Sequence, residues 1–109
     1  IEEVADEEVY IVPEIFSPDG DGFDDNCAIC YNFTENGFTL NIYIYNSKGI
    51  LVRNLLQNSL VNNEGFVIWD GCDNNNHRVE PGIYVVRAEF FNLEGYVKRI
   101  VLAVSAATK

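Results

Sequence analysis

Short runs rich in β-branched and aromatic residues recur along this chain, and turn-forming residues interrupt them at roughly eight to twelve positions, the rhythm of an all-β domain. The clearest segment is 38–45, which sets Phe38, Leu40, Ile42 and Ile44 on one face and Thr39, Asn41, Tyr43 and Tyr45 on the other. That is the pattern of a strand with one buried side. Residues 10–16 are β-branched and aromatic, with Pro13 marking an edge or a bulge. Residues 27–33 give a second short strand, closed by a turn at 34–37. After the turn 46–49, residues 50–56 pair back on 38–45 as a hairpin, and 57–65 read as a polar loop. Strands follow at 66–69, 83–91 and 96–104, separated by Asp70-Gly71, a second polar loop at 72–80 with Pro81-Gly82, and Asn92-Leu93-Glu94-Gly95. No window holds a helical period; only 51–56 fits either structure.

These elements predict an immunoglobulin-like antiparallel β-sandwich of about seven strands. Its core takes Phe38, Leu40, Ile42, Ile44, Trp69, Tyr84 and Val86, with Trp69 between the sheets and Tyr84, two residues after Gly82, packed at a corner. The Cys-Trp-Cys spacing of antibody domains is absent.

Charge sharpens the picture more than composition does. At 109 residues the chain is one domain, long enough for a core without staples. Its net charge is −10, distributed unevenly: residues 1–47 carry eleven acids and no Lys or Arg, whereas 48–109 carry six acids and seven bases. Nucleic acid and anionic membrane surfaces repel such a chain. No run of about eighteen apolar residues spans a membrane, and no charged segment leads into an apolar one as in a signal peptide. Residues 1–9 read as an acidic linker from a longer precursor, 10–105 as the sandwich and 106–109 as a tail.

The candidate chemistry lies in residues 19–25, where four aspartates and two glycines crowd between apolar runs. Such carboxylates repel one another unless water, a base or a cation intervenes, and the first base of the chain is Lys48. Asp19, Asp21, the Phe23 carbonyl and Asp25 supply oxygens at every second residue, the spacing with which a tight loop wraps Ca²⁺. An EF-hand is excluded, because its closing glutamate position holds Cys30. The competing reading is a solvated Asp-Gly turn without metal.

Four motifs, Phe-Ser-Pro-Asp-Gly-Asp-Gly-Phe-Asp-Asp (16–25), Ile-Tyr-Ile-Tyr-Asn-Ser-Lys-Gly-Ile-Leu-Val-Arg-Asn-Leu (42–55), Ile-Trp-Asp-Gly (68–71) and Pro-Gly-Ile-Tyr (81–84), occur in that order. Together they resemble the immunoglobulin-like C-terminal modules of secreted and surface proteins of Bacteroidetes, including the gliding-motility-associated type and those that follow lamin-tail-like domains. These modules are similar in turn to the Ig-like domain of flagellar hook-capping proteins. The resemblance covers residues 10–104. It implies an accessory module of a larger exported or cell-surface protein, crossing the periplasm, with the upstream domains of the same polypeptide and the type IX secretion machinery as partners. Two features depart from the family pattern: residues 73–77 hold Asp-Asn-Asn-Asn-His where a glycine is usual, and the last residues lack a clear basic tip. Asn takes the left-handed conformation in place of that glycine.

Cys27, Cys30, Cys72 and His77 match the ligand types of a zinc site, but Cys27 and Cys30 stand three apart on a predicted strand and so face opposite sides. A disulfide from Cys72 to Cys27 or Cys30 leaves one thiol over, and small buried hydrophobe is the expected role for at least two of the three. His77 has no nucleophile beside it in any recognisable motif, so no enzyme is expected. Two function classes follow: a non-catalytic module for presentation and secretion sorting, or an adhesin-like, carbohydrate-binding sandwich that stacks surface glycans on Tyr31, Tyr43 and Tyr45.

Overall fold

The structure, a computed structural model, describes residues 8–18 and 25–107. In chain order its strands are β1 (Val9–Val12), β2 (Ile15–Phe16), β3 (Cys27–Asn32), β4 (Phe38–Asn46), β5 (Leu51–Val61), β6 (Glu64–Trp69), β7 (Gly82–Phe91) and β8 (Val97–Ala106). Among the described residues there is no helix, hence none long and apolar enough to cross a membrane. A three-stranded antiparallel sheet has the order β1-β3-β6. A five-stranded sheet has the order β2-β8-β7-β4-β5, antiparallel except where β2 runs parallel to β8.

The period-two pattern decides which side chains meet between the sheets. Val9, Ile11, Cys27, Ile29 and Trp69 of the small sheet share one buried cluster with Leu40, Ile42, Ile44, Tyr84, Val86, Ala88, Phe90 and Val104 of the large one. All seven residues expected in the core are there. Removing this apolar surface from water is the main term favouring the fold. Phe33 and Phe38 close the far end of the sandwich against Phe90, with ring centroids 4.5 and 5.4 Å away.

Three elements differ from the sequence expectation. The single strand expected over 10–16 is two, β1 in the small sheet and β2 in the large one, which raises the count to eight. Pro13, without an amide hydrogen, sits where the chain changes sheets. The expected loop at 57–65 is mostly strand: Ser59, Leu60 and Val61 pair with Leu40, Thr39 and Phe38. Its polar composition reflects an edge strand open to water, not a loop. The ambiguous segment 51–56 is also strand, fixed by its pairing with β4. The third difference is Asn41, expected on the solvent face but only 5 % exposed. Leu40 pairs with Ser59 and Ile42 with Leu56, so Gln57 and Asn58 bulge opposite Asn41. Asn58 takes a φ of 49° there, and its amide donates to Asn41 Oδ1 at 2.8 Å.

Candidate functional site

Described residues of all four motifs, far apart in the chain, converge on one end of the sandwich. Phe16 and Tyr84 flank the Trp69 ring, with centroids 5.3 and 5.6 Å away. The indole Nε1 donates to the Cys72 carbonyl at 2.9 Å. Asp70 Oδ1 accepts from the Cys72 amide at 3.0 Å and lies 3.5 Å from Arg53 Nη1, which also donates to the Cys72 carbonyl at 3.1 Å. Asn74 clamps the outer edge of β5, its amide donating to the Val52 carbonyl and its Oδ1 accepting from the Asn54 amide, each at 3.0 Å. The Tyr84 hydroxyl donates to the Glu80 carbonyl at 2.6 Å, the corner bond expected of a sandwich tyrosine. Tyr84→Phe removes that bond alone. We expect a loss of about 1 kcal/mol, seen as a fall of a few degrees in a thermal melt.

The loop beyond Trp69 is bound just as closely to backbone. Asp73 Oδ1 accepts from the His77 and Asn75 amides, both at 2.9 Å. These bonds, His77 foremost, hold its carboxyl below the usual carboxylate range. Asn76 has a φ of 66°, the left-handed residue expected where the family usually has glycine. A groove of about 530 Å³ borders this loop, lined by Leu51, Val52, Asp73, Asn74, Arg78 and Tyr84 among others. Asp73 is thereby a strongly ionised acceptor fixed to two amides, a poor general base.

The cysteines are all free thiols, so neither disulfide is formed. Cys27 points into the core, where burial pushes its thiol up to about 12. Cys30, three residues on, faces outward, as the strand period requires. Burial raises the Cys30 and Cys72 thiols as well, which disfavours the thiolates that zinc binding and nucleophilic attack need. Cys27 fits the small-hydrophobe role; the other two are half-buried. Among the described residues no group of three His, Cys, Asp or Glu side chains is placed to hold a metal.

Of the expected calcium ligands, Asp19, Asp21 and Phe23 lie outside the described residues, and Asp25 lies two residues before β3. The two readings of this loop predict different melts. A calcium loop gains several degrees when millimolar calcium follows a chelator, since a ligand of the folded state at about a hundredfold over Kd adds about 2.7 kcal/mol. Asp21→Asn then abolishes the gain and Asp73→Asn keeps it. A solvated turn gives superimposable curves.

The three tyrosines expected outside are not alike. Tyr31 packs against the core, stacked on Phe33 at 5.5 Å. Tyr43 and Tyr45 are half-buried on the outer face of the large sheet. The Arg87 guanidinium lies 5.9 Å from the Tyr43 ring centroid, and its Nη1 donates to the Tyr45 hydroxyl at 3.3 Å. Glu89 bridges Arg87 and Arg99, and the Arg99 and Arg87 hydrogen bonds hold its carboxyl below the usual range.

Residues 10–102 match the family described as the CHU_C type IX secretion signal domain. The chain belongs to that family. Among solved structures this secretion signal domain is similar to FlgD of Xanthomonas campestris, a hook-capping protein of flagellar assembly, at 25 % identity and a TM-score of 0.56. It is also similar to PorZ of Porphyromonas gingivalis, a surface component of the type IX secretion system, at 21 % identity and a TM-score of 0.57. The first alignment covers 76 % of this chain and 59 % of FlgD; the second covers 90 % of this chain and 11 % of PorZ. No curated protein matches the chain. Phe16, Arg53, Trp69, Asp70 and Tyr84, described residues of the four motifs, tie its end together. Sequence reasoning singled out Trp69, Gly71 and Tyr84 but missed the clamps of Arg53 and Asn74, whose partners lie about twenty positions away.

Proposed function

We propose that this domain is a non-catalytic sorting and presentation module, carrying a longer polypeptide through type IX export to the cell surface or the extracellular space. The observation that carries the reading is the family match across residues 10–102. The alignments to fractions of FlgD and PorZ support it, since this fold occurs there within longer chains. The described Trp69, Asp70 and Tyr84 polar groups bond backbone amides and carbonyls at this end, which supports a structural role for them. The partners are then the upstream domains of the same polypeptide, which are the cargo, and the export machinery. A glycan platform is less well supported, because a sugar ring stacking on Tyr43 has to displace Arg87 from it.

The test is to place the chain behind a fluorescent reporter that has an inner-membrane signal peptide. Expression compares a Bacteroidetes host with its derivative lacking type IX secretion. The reporter is expected at the surface or in the medium of the first strain and in the periplasm of the second. The same distribution in both strains refutes the sorting role.

A further inference from the structure

The outer faces of the two sheets differ in chemistry. The large sheet presents the Arg87–Glu89–Arg99 network, one carboxylate between two guanidiniums, beside the exposed Val97 and Val101. The small sheet presents an apolar grid. Register sets Tyr10, Cys30 and Phe66 side by side in one rung, and Val12, Ala28 and Ile68 in the next outward rung. The strand period points all six away from the core, because Val9, Ile11, Cys27 and Ile29 point in and are buried. Tyr10, Val12, Phe66 and Ile68 are 41, 53, 64 and 45 % exposed. Small residues of the central strand, Ala28 and Cys30, leave a trough between these larger ones. Exposed apolar residues are ordinary when scattered, but six in register on one face mark a surface that a partner covers.

The ends of the grid are acidic. Beyond the Tyr10 rung come Asn32 and Glu64, paired in register, with the Asn32 amide bonded to the Glu8 carbonyl. Beyond Ile68 comes Asp70. Lys98 and Arg53 reach Glu8 and Asp70 from the large sheet, at 2.7 and 3.5 Å, and no base among the described residues meets Glu64. β1 and β3 both come from residues 1–47, which contain no Lys or Arg.

We infer that this face docks a component of the export machinery that presents an apolar ridge flanked by Lys and Arg. The inference rests on the sorting role and adds where recognition occurs. Charge selects the occupant. A second copy would meet this one as −10 against −10, whereas a basic rim is attracted to Glu64 and to the chain's excess of acid. Phe66 and Tyr10 supply the aromatic anchors on which binding energy concentrates.

The same reporter fusion tests it with three substitutions, each checked for folding by a thermal melt of the purified domain. Phe66→Glu puts a charge into the grid and is expected to lower export by about tenfold or more, with the reporter held in the periplasm. Val101→Glu, at a residue 65 % exposed on the outer face of β8, is expected to leave export near wild type. Glu64→Lys reverses the rim and is expected to lower export severalfold. If folded Phe66→Glu is exported like wild type, or if the wild-type domain is a dimer in solution that Phe66→Glu splits, the docking face is overturned. An unaffected Glu64→Lys overturns the basic rim. A wild-type fusion that stays in the periplasm overturns the sorting role itself, and this inference with it.

Discussion

Trp69→Ala is expected to lower the stability of the domain by about 3–5 kcal/mol, the range for deleting a large buried aromatic side chain. The ring is fully buried between the sheets, and its loss opens a cavity lined by Phe16 and Tyr84 that two ladders of strand hydrogen bonds keep from collapsing. The Cys72 carbonyl also loses its indole donor at 2.9 Å. For a domain of this length such a loss corresponds to a fall in melting temperature of about 15 °C or more. The melt has to be followed by circular dichroism, since Trp69 is the only tryptophan. Trp69→Phe, which keeps a ring in the space but not the N–H, falls between the two. A Trp69→Ala domain that melts within about two degrees of wild type contradicts the place given to this ring in the core.

The expected effect is large because Trp69 joins structures that the chain keeps far apart. It ends β6, meets Phe16 of β2 and Tyr84 of β7, and through the Cys72 carbonyl shares a hydrogen-bond acceptor with Arg53 of β5. Described residues of all four motifs by which the sequence resembles its family are parts of this one junction. Under the proposed sorting role, with the folded domain as the recognised form, holding that junction is itself a functional requirement. Melting and export should therefore fall together in variants of the junction, while variants of the apolar grid should lose export alone.

Period-two alternation made the core of the sandwich legible in the sequence. Phe38, Leu40, Ile42 and Ile44 lie on a strand buried on one face, where spacing alone assigns the inside, and Tyr84 was placed by the Gly82 two residues before it. What escaped was set by pairing across the sheet. The segment 57–61 reads as loop because a polar edge strand and a polar loop share a composition, and only β4 alongside reveals the ladder. Asn41 reads as exposed because the bulge that covers it is made by Gln57 and Asn58, on another strand. The candidate site was legible in part for the same reason. Trp69, Gly71 and Tyr84 stand out as residue types, whereas the clamps made by Arg53 and Asn74 depend on a fold that brings distant positions together. The apolar grid was invisible too. Its residues come from three separate segments, each giving only two of them, and only the pairing of β1, β3 and β6 sets them side by side.

Gly71→Ala is expected to be the most damaging single-methyl change in the junction. Gly71 has a φ of +80°, a conformation in which an L side chain costs about 1–2 kcal/mol. A Cβ there would also lie 2.6 Å from Pro18 Cβ, 2.8 Å from Pro18 Cγ and 3.3 Å from the Phe16 ring. Pro18 is buried and its ring is stiff, so it cannot swing aside as a lysine would. Either Pro18 and the start of the aspartate loop move, or the Asp70–Cys72 turn opens and Trp69 loses its acceptor. Overpacking of this kind adds about 1–3 kcal/mol, which brings the total to about 2–5 kcal/mol. Gly49 supplies the control, for it has nearly the same φ, +82°, and a Cβ there would meet nothing within 4 Å. Gly49→Ala should therefore show the conformational cost alone, about 1–2 kcal/mol. The difference between the two melts measures the close approach of Pro18. If Gly71→Ala and Gly49→Ala lower the melting temperature equally, Pro18 does not rest on this turn, and the junction is looser than its contacts indicate.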